Sequence, residues 1–226
     1  MTVLGIETST AACSVGLAND SGMQTERSLI ESHIRSEKLL TLIQKIYDEQ
    51  KITLSQIDGV AVSIGPGSFT GLRIGLSTAK GLCYASGKPL IAVSSFESVA
   101  EAVCVSRPQT SRVIVSVDAK QGDYYFGGYE RKNGARCEFL PVQIGSLNSA
   151  LSAVNRETTI ITDQIDEVKK FADKSGVIEN ILSYCRGDVI ARIAIEKLKE
   201  GVKNAPENLE PMYLKDFVIR KREKTQ

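Results

Sequence analysis

The residues most suited to chemistry are the seven in Gly65-Pro66-Gly67-Ser68-Phe69-Thr70-Gly71. They follow an apolar run, Val60-Ala61-Val62-Ser63-Ile64, and lead into a helical pattern. A glycine-rich turn between strand and helix can aim backbone N–H groups at a phosphate. The spacing here is G-x-G-x-x-x-G, not the dinucleotide G-x-G-x-x-G, and no Gly-Lys-Ser/Thr follows. The plain alternative is a tight turn that needs glycine for positive φ. A lone histidine, His33, is the single candidate for an imidazole base, and it cannot build a His-rich metal site. Ser32 before it is a fair N-cap, so His33 also reads as an ordinary helix-start residue. The cysteines, Cys13, Cys83, Cys104, Cys137 and Cys185, are odd in number and contain no C-x-x-C pair. That pattern predicts buried thiols in a reducing compartment, not a zinc ribbon or a redox pair.

Elements that would position these residues follow from periodicity. Val3-Leu4-Gly5-Ile6 reads as a strand ending in Glu7. Cys13, Val15 and Leu17 alternate with smaller residues, as in a half-buried strand. Asn19-Asp20-Ser21-Gly22 is a turn, and residues 23–30 return as a third strand. The same sequence of events starts again near Arg112. Val113-Ile114-Val115-Ser116-Val117 ends in Asp118, residues 124–130 form the next strand, Arg131-Lys132-Asn133-Gly134 turns, and residues 136–144 complete a meander. Glu7 maps to Asp118 and Gly22 to Gly134, which points to a duplicated unit. Each meander precedes helix and strand. Residues 33–50 place Leu39, Leu40, Ile43, Ile46 and Tyr47 on one predicted face. Residues 71–85 predict a second helix, followed in the later half by short helices at 147–154, 164–174 and 188–200. Antiparallel strands followed by alternating helix and strand predict an α/β mixed sheet in two lobes, with a boundary near residues 105–111.

Composition narrows the function. With 28 Lys+Arg against 27 Asp+Glu, the formal charge is +1, which argues against a chain that grips nucleic acid by bulk charge. The first residues have no basic start and Glu7 interrupts their apolar run, so no secretory leader is expected. No run of about 20 apolar residues exists to span a membrane. The expectation is a cytoplasmic globular protein. Within it, the helix 71–85 carries only Arg73 and Lys80 as charges. Gly71, Gly75 and Ala79 recur every fourth residue, as do Ser77, Gly81 and Ala85. A helix so apolar should be buried nearly all round, and its small residues permit close approach of a second backbone. This predicts a protein–protein interface.

Three motifs resemble one known family. Gly5-Ile6-Glu7-Thr8-Ser9-Thr10-Ala11-Ala12-Cys13-Ser14-Val15 looks like its opening motif, Gly65-Pro66-Gly67-Ser68-Phe69-Thr70-Gly71-Leu72-Arg73-Ile74-Gly75 like its signature, and Glu210-Pro211-Met212-Tyr213-Leu214 like its closing motif. The family is TsaB, also called YeaZ. The first 105 residues match strongly and the middle of the second half loosely. The resemblance implies an actin-like ATPase (ASKHA, ribonuclease H-like) fold of two duplicated lobes, the second degenerate. Residues 1–106 would be the first lobe, and residues 107–226 the smaller second lobe with a basic tail. It implies a non-catalytic scaffold that pairs with a TsaD-like paralogue, working with a TsaE-like ATPase and with TsaC. Their product is threonylcarbamoyl on the adenosine beside the anticodon of ANN-decoding tRNAs. It implies no cofactor held by this chain, ATP being used by its partners, and a homodimer when the chain is alone.

Site expectations follow from that resemblance. Leu39, Ile43, Tyr47, Gly71, Arg73, Ile74, Gly75, Ser77, Thr78 and Gly81 would face the partner. Glu7, Thr8 and Ser9 would be a vestigial first phosphate loop, with hydroxyls that satisfy backbone amides as the plain alternative. TsaD-like proteins bind metal through H-x-x-x-H; the matching positions here are Ser95 and Val99, a weak donor and none. No catalytic or metal residue is expected. A small ATPase or phosphotransferase is the alternative reading. A peptidase is remoter, because the nearest G-x-S-x-G, Gly75-Leu76-Ser77-Thr78-Ala79, falls inside a predicted helix instead of at an elbow. The segment from Lys215 holds five basic residues against two acidic ones and is read as a solvated tail that can reach tRNA phosphate.

Overall fold

The computed structural model describes residues 1–30, 35–132, 134–171 and 176–214. His33, its preceding Ser32 and the basic segment from Lys215 lie outside the described residues. In chain order the elements are β1 (Thr2–Glu7), β2 (Ala12–Asn19), β3 (Gln24–Ile30), α1 (Arg35–Gln50), β4 (Gly59–Ser63), α2 (Phe69–Ser86), β5 (Leu90–Val93) and α3 (Ser95–Ser106). Then come β6 (Arg112–Lys120), β7 (Asp123–Lys132), β8 (Ala135–Gly145), α4 (Leu147–Leu151), β9 (Thr158–Thr162), α5 (Ile165–Phe171), β10 (Val177–Asn180) and α6 (Gly187–Lys199).

The duplication is visible in the sheets. The first has the order β3-β2-β1-β4-β5, and the second β8-β7-β6-β9-β10. In each, the first strand pairs antiparallel with the next and parallel with the fourth. The helices differ in size. α1 and α2 have 16 and 18 residues, whereas α4 and α5 have five and seven, so the second lobe is the reduced one.

β2 is buried on both faces, not half-buried as alternation predicted. α1 covers one face of it and α6 the other. Residues 187–199, assigned by sequence to the second lobe, thus cover the first sheet. Glycines make this possible. A Cβ on Gly5 would lie 2.1 Å from the Gly187 carbonyl oxygen, and one on Gly16 would lie 2.1 Å from the Asp188 nitrogen. The Gly187 N–H donates to Ser14 Oγ at 2.8 Å. No real Cβ tolerates such distances, so strand and helix meet backbone to backbone.

Between the sheets, α3 packs on β6, β7 and α6. Its Glu101 has a side chain only 5 % exposed and meets three arginines. Arg136 Nη1 donates to it at 2.7 Å and Arg131 Nη2 at 3.3 Å, and Arg192 makes a third short bond. Burial alone would push this carboxyl up, but the hydrogen bonds and charges of Arg192 and Arg136 outweigh it and hold the pKa below the ordinary value. The pair therefore contributes stability above the unfolded carboxyl's pKa, and that stability is lost as pH falls through the lowered folded value.

Two outcomes are expected. Glu101→Gln should destabilise the protein at pH 7 by about 3–5 kcal/mol, as breaking a buried ion pair does, with the deficit shrinking in acid; urea titrations across pH check this. Gly16→Ala should lower the melting temperature sharply, whereas Gly22→Ala, whose added Cβ meets nothing within 4 Å, should cost only its positive-φ strain. Differential scanning calorimetry separates the two.

Candidate functional site

The glycine-rich turn lies where expected, between β4 and α2. Ser68 caps α2, its Oγ accepting from the Gly71 N–H at 3.3 Å, and Gly87 ends the helix in the left-handed region. The turn interlocks with Thr8 and Ser9. The Ser68 N–H donates to the Ser9 carbonyl at 2.6 Å. A Cβ on Gly67 would sit 2.3 Å from that same oxygen. Thr8 Oγ1 donates to the Gly71 carbonyl at 2.8 Å, and a Cβ on Gly75 would lie 2.3 Å from Thr8 Oγ1. Both glycines in the turn and helix thus admit the first loop instead of a ligand.

Glu7 is fully buried behind this junction. Its Oε1 accepts from the Ser9 N–H at 2.6 Å, while Oε2 finds no hydrogen-bond partner among the described residues. Burial raises its pKa, and hydrogen bonding from Ser9 and Ser63 offsets this only in part. Nearby Cys185 is also buried, and burial pushes its thiol well up. It is an inert thiol by the criteria that make cysteines reactive.

Between the lobes lies a cleft of about 1180 Å³. One wall carries Ser9, Thr10, Gly67, Ser68, Phe69 and Arg73, and the other Asp118, Lys120, Tyr125 and Asp163. Asp118 is the counterpart of Glu7, and its N–H donates to Asp163 Oδ1 at 3.0 Å. Lys120 Nζ bonds Asp118 Oδ2 at 2.7 Å. At the mouth, Arg73 lies 3.9 Å over the Phe69 ring and donates through Nε to Tyr213 Oη at 3.0 Å. Met212 N–H donates to the Ile64 carbonyl at 2.7 Å, so the closing motif straps the glycine-rich turn.

The metal position of the paralogue does not fit a metal here. Ser95 is buried, and its Oγ accepts from the Gly65 N–H at 3.1 Å. Val99 belongs to the apolar core. The donor set is therefore one committed hydroxyl and a hydrocarbon. Among the described residues, no group of three or more His, Cys, Asp or Glu could hold a metal ion.

The expected partner face is only partly at the surface. Leu39, Ile43 and Tyr47 are 0 %, 4 % and 7 % exposed, packed in the first lobe's own core. Ile46 and Leu42 join them inside, and of the predicted face only Leu40 points out, at 58 % exposure. Gly71 and Gly75 are buried too. Ile74 and Thr78 are half-buried, and Arg73, Ser77 and Gly81 are exposed. The surface stripe of α2 thus reads Thr70, Arg73, Ser77, Gly81 and Tyr84. Tyr84 is 94 % exposed and went unnoticed in the sequence, although its spacing from Gly81 puts it on the same face. So α2 is buried on one side and bare on the other, not buried all round. Ser77 lies mid-helix on that bare side, which gives the remote peptidase reading no elbow.

Two duplicated α/β lobes facing across a cleft define a protein of the actin-like ATPase, ASKHA, class. YeaZ from Pseudomonas aeruginosa has the same fold, with a TM-score of 0.84 at 24% identity, covering 94% of this chain and 99% of that one. The activator of the 2-hydroxyisocaproyl-CoA dehydratase from Clostridium difficile follows at a TM-score of 0.50 and 10% identity, covering 91% of this chain and 99% of that one. The family model described as "TsaD: tRNA N6-adenosine threonylcarbamoyltransferase" matches residues 30–172. The tRNA threonylcarbamoyladenosine biosynthesis protein TsaB of Escherichia coli is 28% identical, over 98% of each chain. The Bacillus subtilis protein of that name is 29% identical, over 63% of this chain and 61% of its own length. The chain belongs to this TsaD-type family, on its TsaB (YeaZ) branch. No helix among the described residues is long and apolar enough to cross a membrane.

Glu7 supplies a pH test of the junction. A carboxyl with a raised folded pKa is fully compatible with the fold below its unfolded pKa, and costs stability as pH rises through the folded value. Glu7→Gln should therefore raise the melting temperature at pH 7–8, with the gain vanishing below about pH 4. Thermal melts across that range check it.

Proposed function

We propose that this chain is a non-catalytic, TsaB-type subunit of the machinery that attaches threonylcarbamoyl to the adenosine next to the anticodon of ANN-decoding tRNAs. The near full-length correspondence to the E. coli TsaB protein carries the reading. The chain acts by pairing with a TsaD-like transferase and favouring its active state, in company with a TsaE-like ATPase and the TsaC product. Residues 1–106 form the partner-binding lobe and residues 107–226 the reduced one. The work is cytoplasmic, and tRNA is met through the assembly.

The partner seats on the outer stripe of α2. Its small residues let a second helix come close, and Arg73 and Tyr84 stand at the two ends as the anchors that interfaces favour. The same stripe serves for a homodimer when the partner is absent. Glu7, Thr8 and Ser9 are a vestigial phosphate loop. Support comes from the Thr8 hydroxyl bonded to the Gly71 carbonyl and from the Ser9 carbonyl bonded to the Ser68 N–H. The cleft keeps a second reading alive, that of a small ATPase or phosphotransferase, since its size suits a nucleotide.

Reconstitution with TsaC, TsaD and TsaE, with this chain present or omitted, tests the proposal. Modification should require the chain; equal modification without it overturns the reading. Tight ATP binding with turnover by the isolated chain would favour the ATPase. Gly81→Trp should reduce modification at limiting chain by ten-fold or more, about 1.4 kcal/mol of binding, without lowering the melting temperature, because a Cβ there meets nothing within 4 Å. Gly75→Ala should instead damage the fold through Thr8.

A further inference from the structure

The lobes of this chain are joined by far more than the cleft they line. Behind the cleft, one continuous apolar cluster takes Val3, Ala61 and Ile91 from the first sheet and Val113, Val115 and Ile161 from the second. The helices α3 and α6 fill the space between them, packed on each other and on opposite sheets. A relative rotation of the lobes would have to slide this close-packed layer, and packed cores do not deform continuously.

Charge fastens the same layer. Glu101 comes from α3, Arg131 and Arg136 from β7 and β8, and Arg192 from α6. Arg136 also bonds Glu97 at 2.8 Å, and Lys197 of α6 bonds Glu97 at 3.0 Å. Moving the second sheet or α6 away from α3 would strip a buried carboxylate of guanidinium partners. Near the chain's crossover, Arg107 at the end of α3 pairs with Glu179 of β10, which also accepts from Tyr184 Oη. A second tie thus anchors the far end of the same helix to the second sheet.

We infer that the two lobes are locked into one rigid body, so that the cleft has a single width and does not close on a ligand. Two-lobed enzymes that sequester a substrate do so by hinge or shear closure; here the hinge is occupied by a shared core and a charge node. The chain presents a fixed surface to whatever binds it. This inference stands independently of the role in tRNA modification.

Distances across the cleft test it. In a Cys137→Ser background, nitroxide labels at Thr70→Cys and Gln121→Cys report on exposed positions of the two opposing lobes. Double electron–electron resonance on the full chain should give one narrow distance population, unchanged by magnesium and the ATP analogue ADPNP. Glu101→Gln should add a second population or broaden the first while circular dichroism still shows a folded protein. If that variant does not fold, Arg131→Gln, which removes only the longest of the three bonds, serves in its place and should broaden the distribution less. Two populations in the unaltered node, or a shift on adding ADPNP, overturn the inference. So does a node variant as narrow as the parent.

Discussion

The contact between α6 and the first sheet is the constraint from which the rest follows. It exists because Gly5, Gly16 and Gly187 carry no side chains where two backbones touch. With any Cβ there, α6 would stand off the sheet by the width of a side chain, and β2 would lose the cover of one face. Because the helix lies so close, its other side is free to meet α3, and the pair becomes the middle layer between two sheets. The arginine node on Glu101 can form only after that layer is in place, since Arg192 reaches it from α6 and Arg131 and Arg136 from the second sheet.

The glycine-rich turn looks different in that setting. Glycine at positions 67 and 75 is required, but by Ser9 and Thr8, not by an anion. The Thr8 hydroxyl is bonded to the Gly71 carbonyl, and the Ser68 N–H to the Ser9 carbonyl. Glu7 ends buried with one oxygen unpaired among the described residues, an arrangement that costs stability at neutral pH. The turn and the first loop thus form one interlocked junction, while the outer stripe of α2 stays exposed.

The two lobes differ in the helices that cover their sheets. An 18-residue helix is about 27 Å long, enough to bury one face and still offer five full turns outward. The seven-residue α5 offers barely two. The sheets are near copies in strand order, so the divergence lies in what covers them.

Much of this was written in local pattern. The two meanders, the repeat and the helix behind the glycine-rich turn follow from turn residues and periodicity, which act over a few residues. The face of a helix was harder. Leu40 and Leu42 differ little to a periodicity argument, because both neighbour the apolar stripe, and only packing decided that Leu42 goes in and Leu40 stays out. Leu39, Ile43 and Tyr47 share one apolar face, but periodicity cannot say whether a face meets its own core or a partner. The lobe that α6 covers was equally illegible, since it rests on glycines 170 or more residues away in the chain. The sequence by itself determined the elements and the duplication. The tertiary structure decided which face of each helix stays exposed, because burial belongs to pairs of surfaces and a sequence shows only one of each pair.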